Sequence, residues 1–257
     1  MPLTRPGLIA ATSAGSVDPL PTLGEGSGAR RSIILFALIG IGAYLLALLV
    51  TMPASVIFRD ATWRTGVAGT VWNGEVGIAG GATFAWHMAP LRSLTSLAFA
   101  ADWKATGPDT DLGGQMLQHL GGRTVLDHVS GSADASLLRA LQPNLPFTCN
   151  LTLQVEMRRI ASGGGARMAD GKVTTDPGSC RAKSGGGPVA VPALLITAEH
   201  VGDRTTIRVA PSAQRLKTLM TAVLSEDGAL DIAMTPEGAA ILPFVGLPGG
   251  ARVQGQM

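Results

Sequence analysis

Aromatic residues are scarce: six Phe, four Trp and one Tyr make up 4% of 257 residues, too few for an aromatic binding platform. An excess of either charge is missing too. Twenty Lys and Arg face 18 Asp and Glu, and no basic cluster interleaves with aromatics, which excludes a nucleic-acid footprint. The four histidines, His87, His119, His128 and His200, form no His-x3-His pair and have no Cys or carboxylate at ligand spacing, so no metal or other cofactor is expected. His128 follows Asp127 directly, and neighbours in a strand face opposite ways. A Gly-x-Ser-x-Gly elbow is absent, and Ser130-Gly131-Ser132 reads as turn or cap residues. Gly165–Val173 fails the phosphate-loop pattern twice, at Ala166 and at Val173 after Lys172. It reads as a hairpin with Asp170-Gly171 at its tip. Asp102, Asp109 and Asp111 read as solvated loop acids. With no nucleophile–base constellation, no enzyme is expected.

Charge is also missing between Arg31 and Arg59. Inside that interval lies Ile33–Val50, IILFALIGIGAYLLALLV. As one helix these residues rise about 27 Å, close to the ~30 Å hydrocarbon thickness of a bilayer. A cleaved signal would have a shorter apolar region and small residues at its cleavage site. Met52-Pro53-Ala54 is a poor match, so an uncleaved single span is favoured over a signal or a buried helix. Residues 1–31, rich in Pro, Gly and Ser, read as a disordered tail with a flexible Gly24–Gly28 stretch. The span is placed at 32–52 and a single β-rich domain at 53–257. Arg30 and Arg31 precede the span and Arg59 and Arg64 follow it, a near balance that leaves orientation to other features.

Cysteine is limited to Cys149 and Cys180. In an oxidising compartment this pair is most simply a disulfide; two buried thiols in a cytosolic domain are the alternative, and zinc is poorly supported. A disulfide favours a body outside the cytoplasm.

Glycine and proline are plentiful, at 34 and 16, which suits many short strands. Thr148–Met157 alternates apolar and polar residues without exception and reads as one strand with a wet face. Leu94–Trp103, Pro192–His200, Thr205–Val209 and Leu230–Met234 read as further strands, and Asp227-Gly228 as a hairpin signal. Gly163–Gly165 and Gly185–Gly187 read as mobile loops. Ser136–Leu141 reads as a short helix, and Ala213–Leu224 as helix rather than strand on its Leu216, Leu219, Met220, Val223 stripe. The expected fold is mainly β: an antiparallel, curved sheet with one or two short helices.

The stretch GTVWNGEV, Gly69–Val76, carries the most specific signal. Asn73-Gly74 is the preferred pair for a type I′ turn. Folding there pairs Trp72 with Glu75 and Val71 with Val76, puts Val67, Val71, Val76 and Ile78 on one buried face, and leaves Trp72 on the other. Trp72 is then a packing residue or a partner contact.

Gly69, Thr70, Trp72 and Gly74, soon after a single N-terminal span at Ile33–Val50, resemble the type II secretion system protein N family. Gly131–Leu138 and the alternating strand after it are similar to the family's middle region, and the likeness covers roughly Ile33–Met157. The resemblance implies one inner-membrane helix, a β-rich periplasmic domain, and an accessory subunit of the platform that exports folded proteins. Its partners would be other platform subunits and the bilayer, with the N-terminus cytoplasmic. A second expectation is a membrane-anchored lipid-binding protein, its sheet sheltering acyl chains in an apolar groove. An exported hydrolase is a distant third.

Overall fold

The computed structural model describes residues 26–56, 64–78, 81–134, 145–165 and 167–256. The chain divides into two units, 1–49 and 50–257. The expected tail falls outside the described residues up to position 25, as does the Ser136–Leu141 helix. Helix α1 runs Gly26–Val50, so it includes the last residues assigned to the tail. Once an apolar helix has nucleated, each added residue gains a hydrogen bond without repeating the nucleation cost. Arg31–Val50 is long and apolar enough to cross a membrane.

The second unit is built from antiparallel strands. In chain order they are β1 Arg64–Gly69, β2 Asn73–Ile78, β3 Ala82–Met88, β4 Phe99–Gly107, β5 Thr110–Gln118, β6 Thr124–Asp134, β7 Phe147–Asn150 and β8 Thr152–Ser162. There follow β9 Met168–Thr175, β10 Gly178–Ala182, β11 Val189–Val191, β12 Leu194–Val201, β13 Arg204–Pro211, β14 Met220–Ser225, β15 Ala229–Met234 and β16 Arg252–Gln256. Helices α2, Pro90–Ser96, and α3, Pro236–Ile241, interrupt them. Thirteen strands form one sheet in the order β1-β2-β3-β4-β5-β6-β8-β9-β12-β13-β14-β15-β16. It is a meander with two detours: β7, and β10 with β11, leave it and pair with each other in the order β11-β10-β7.

Register makes this sheet two-faced. A ladder of directly opposed residues runs Val67, Val76, Phe84, Ala105, Leu112, Gly131, Val155, Val173, Ile196, Val209, Met220, Met234. Because side chains alternate, residues two places along share this side. Trp86, Trp103, Val129, Met157, Ala198, Ile207, Ala222 and Ile232 do so. The ladder between these two, offset by one residue, carries Lys104, Ser130, Glu156, Lys172, Thr197 and Arg208 on the opposite side. Lys172 pairs with Glu156 there at 2.9 Å. Each Val or Leu withdrawn from water contributes about 1.5–3 kcal/mol, so the apolar face supplies the main driving force.

Adjacent bulges keep the faces apart. The register shifts at Gly113/Gln115 against β6 and at Met157/Arg159 against β9, and His128 takes φ 54°. With His128 and Arg158 as extra residues, Leu126 and Ile160 return to the apolar side, where both pack on the Val129, Met157, Ala198 cluster. Asp127 and Arg159 turn outward and meet, Nε donating to Oδ1 at 2.6 Å and Nη2 to Oδ2 at 3.2 Å. That contact raises the guanidinium pKa further, the hydrogen bond to Asp127 being the larger cause. The sheet also curls. Ile78 and Ala133 share a cluster although β2 and β6 are four places apart, about 19 Å in a flat sheet.

Several sequence expectations change here. Thr148–Met157 is two strands in two sheets, broken at Leu151, whose side chain packs with the small sheet. A change of sheet that keeps the parity of alternation leaves no trace in the pattern. Leu94–Ser96 is helical, because Pro90 sits at the helix start, where its missing N–H costs nothing. Ala213–Leu224 is a turn followed by β14, which pairs on both sides; Leu216 is 97% exposed while Leu219 is buried, so the stripe residues do not share one face. Asp170-Gly171 lies inside β9 opposite Arg159 and Met157, and the tip of that hairpin is the Gly163–Gly165 run. Ser130 and Ser132 are mid-strand in β6. Asp102 and Asp111 are strand residues paired with Arg92 and Lys104 at 2.8 and 2.9 Å. Asp227-Gly228 does form a hairpin turn, with Gly228 N–H donating to Ser225 O at 3.0 Å.

The small sheet covers part of the apolar face. Cys149 of β7 stands opposite Cys180 of β10, and the two are disulfide-bonded. Cys180, Val191, Leu194, Val209, Leu219, Leu242 and Phe244 form one buried cluster, with Phe147 edge-on to Phe244 at 5.1 Å. The bond thus ties the two detours to each other over the sheet. Closing a loop of this length is worth about 3–4 kcal/mol. Replacing both cysteines with serine is expected to lower the unfolding free energy by about that amount, read from urea denaturation of the two forms side by side.

Candidate functional site

The distinctive local structure is the β1–β2 connection, Thr70–Trp72, where the chain arriving from α1 meets the sheet. Its geometry differs from a two-residue turn. Gly69 pairs with Gly74 and Val67 with Val76, so the register is shifted from the expected one. Neither Asn73 nor Gly74 takes the positive φ a type I′ turn demands. Gly69 does, at φ 84°. Thr70 N–H donates to Asn73 O at 2.8 Å, and Asn73 N–H to Thr70 Oγ1 at 3.2 Å, which closes a longer loop.

Gly74 has a different task. A Cβ there would overlap Cζ2 of the Trp86 ring, so the glycine lets β3 lay an indole across β2. Trp86 is 5% exposed and donates its Nε1–H to Val71 O at 2.9 Å. It buries Ala54 and Val76, with Val67, Phe84 and Trp103 around them. The arriving chain is stitched to the same loop: Val71 N–H donates to Met52 O at 3.0 Å, and Pro53 bridges Thr70. Met88 N–H donates to Trp72 O at 2.7 Å. The Trp72 ring lies 6.1 Å from that of Phe99 at the start of β4. Val71 is therefore in the loop rather than on the buried face with Val67, Val76 and Ile78, and Trp72 is half-buried at the sheet's end.

Gly69, Thr70, Trp72, Asn73 and Gly74 thus come together as one clamp, and Cys149 and Cys180 lie apart from it in the small sheet. Met52, Ala54, Trp86 and Phe99 were not legible as members, because each reaches the loop from another segment. The histidines scatter: His87 in β3, His119 in the β5–β6 turn, His128 on the bulge, and His200 with its Nδ1 3.0 Å from Thr205 Oγ1. Among the described residues no group of three or more His, Cys, Asp or Glu side chains is placed to hold a metal ion. A depression of about 640 Å³ on the polar face is lined by His128, Ser130, Glu156, Lys172 and Glu199 among others. Glu156 and Lys172 in it are spent on each other.

A family model described as type II secretion system protein N matches residues 60–247. The chain belongs to this family. The match takes in β1 through the end of the α3 region, so protein N likeness continues well past Met157, where the recognisable resemblance stopped, and it begins after α1. The clamp loop, both cysteines and the small sheet all lie within it. Membership makes the chain a component of the type II secretion system. No curated protein and no solved structure matches it.

In protein N the clamp should be intolerant at one position in particular. Gly74→Ala is expected to cost about 1–3 kcal/mol by overpacking against Trp86. Gly66→Ala, in the same hairpin but with open space at its Cβ, should stay within about 0.5 kcal/mol of the parent. Paired chemical denaturation curves measure both.

Proposed function

We propose that this protein N chain is an accessory subunit of the inner-membrane platform, working by contact with other subunits rather than by chemistry. The observation that carries the reading is an open sheet with a free edge. β16 pairs only with β15 among the described strands, and all five of its residues are exposed. An edge of that kind accepts a partner strand through main-chain hydrogen bonds. In this reading residues 1–31 are cytoplasmic, α1 is a single inner-membrane span, and the β unit from 53 onward is periplasmic. The Cys149–Cys180 bond supports that side, since such bonds persist in oxidising compartments. With a photo-crosslinking residue at Val253, the full chain in cells should trap another secretion subunit. Its absence should leave exported substrates in the periplasm. Full secretion without the chain, and no adduct from β16 or β1, would sink the proposal.

A second reading, lipid binding along the sheet, is favoured by the apolar ladder itself. Many of its members between β3 and β13 are only half-buried, and Trp103 carries a buried Nε1 with no hydrogen-bond partner. An ester carbonyl or headgroup oxygen is the acceptor such a donor would take. Mass spectrometry of the protein extracted in a gentle detergent should then show stoichiometric acyl lipid. A lipid-free protein would end this reading.

A further inference from the structure

One end of the large sheet differs from the other. At the end holding the β2–β3 and β4–β5 turns, the polar face carries Thr106, Asp111, Ser132 and Gln154. At the opposite end one rung on each face is apolar, inside a last rung of Gln118, Thr124 and Ser162. Met116, Leu126 and Ile160 lie on one side, and Leu117, Val125 and Ala161 on the other. Beyond these strand ends, leucines point into solvent. Leu91, Leu94 and Leu97 of α2 and its cap, and Leu120 of the β5–β6 turn, are between 74% and 101% exposed. Leu97 and Leu120 flank one strand pair, Phe99 opposite Gln118, and Leu91 and Leu94 lie on the short helix that Leu97 caps, so the four gather at one corner of the sheet. At the other end Leu216 is the one leucine this exposed among the described residues. A patch of this kind on a folded protein marks an interaction surface.

What covers it is indicated by where the chain enters. The Pro53–Thr70 bridge and the Trp72–Phe99 contact are at this same end. Two residues, Thr51 and Met52, separate Val50, the last of α1, from Pro53, a contour of at most about 11 Å. We infer that this end of the sheet rests on the bilayer, with Leu91, Leu94, Leu97 and Leu120 immersed in the leaflet that α1 leaves. The inference rests on the single-span reading of α1. Exposed Arg123, next to the Leu120 turn, is placed to meet lipid phosphate while its stem lies along the apolar surface. The contact adds a second attachment to the span and holds the meander upright on the membrane, with the β2–β3 and β4–β5 turns farthest from it. The far tips of the same end, carrying Asp203, Glu226 and Asp227, lie beyond the patch and mark the limit of the contact.

The test uses the full chain in vesicles of phosphatidylethanolamine and phosphatidylglycerol doped with a nitroxide-labelled phospholipid. Single probes are attached at Leu94→Cys, Leu120→Cys and Asp109→Cys, with Leu46→Cys inside α1 as the anchor control. These exposed positions leave the core and the buried disulfide intact, which far-ultraviolet circular dichroism checks. The emission at 94 and 120 should be quenched about two-fold, as for a group at the headgroup–acyl boundary, and that at 109 should not change. Quenching at 46 with none at 94 and 120 overturns the inference and leaves the anchor standing. A blue-shifted but unquenched probe at 94 also overturns it, since a protein would then cover the leucines. Equal quenching at 109 overturns it as well. No quenching at 46 removes the anchor reading and this inference together.

Discussion

Register across twelve strands is the constraint on which the rest of the molecule depends. Side chains alternate with a period of two, so a slip of one residue in any pair would send that strand's apolar set into water. The ladder from Val67 to Met234 survives because each pairing from β1 to β15 keeps the same parity. Where the sequence itself changes parity, between Val129 and Leu126 on β6 and between Met157 and Ile160 on β8, bulges absorb the odd residue. The outward Asp127–Arg159 pair is a by-product of that repair. Its partners are far apart in sequence and meet only because two bulges sit side by side.

The two covers over the apolar face have different origins. On one flank the sheet supplies its own, through two detours that pair as a small sheet and are bonded through Cys149 and Cys180. On the other, the chain arriving from α1 inserts Ala54 beneath Trp86 and is held by backbone bonds to the β1–β2 loop. The family motif is thereby explained as mechanics. Gly69 turns the chain, Thr70 and Asn73 close the loop, Gly74 admits an indole, and Trp72 reaches Phe99. Together they tie Met52, Pro53 and Ala54, the stretch ahead of β1, to the first hairpin of the sheet.

A two-faced sheet with free edges suits a component of a secretion machine. Its backbone edge can take a partner strand, its polar face carries salt bridges, and its leucine-tipped end exposes apolar surface. β16 and α2 are different elements, so the proposed subunit contact and the proposed bilayer contact do not compete for the same residues.

The amino-acid sequence alone determined the apolar helix, the mainly β character and the protein N signature. These rest on local properties: an uninterrupted run of uncharged residues, alternation over short windows, and turn residues. Strand partners, the split at Leu151, the strand identity of Met220–Ser225 and the real register of the first hairpin were decided only in three dimensions. Asn73-Gly74 has the composition of a tight turn, but an indole from β3 claimed Gly74 first. Such outcomes turn on which distant segment packs where, and a distant contact leaves no local periodicity to read.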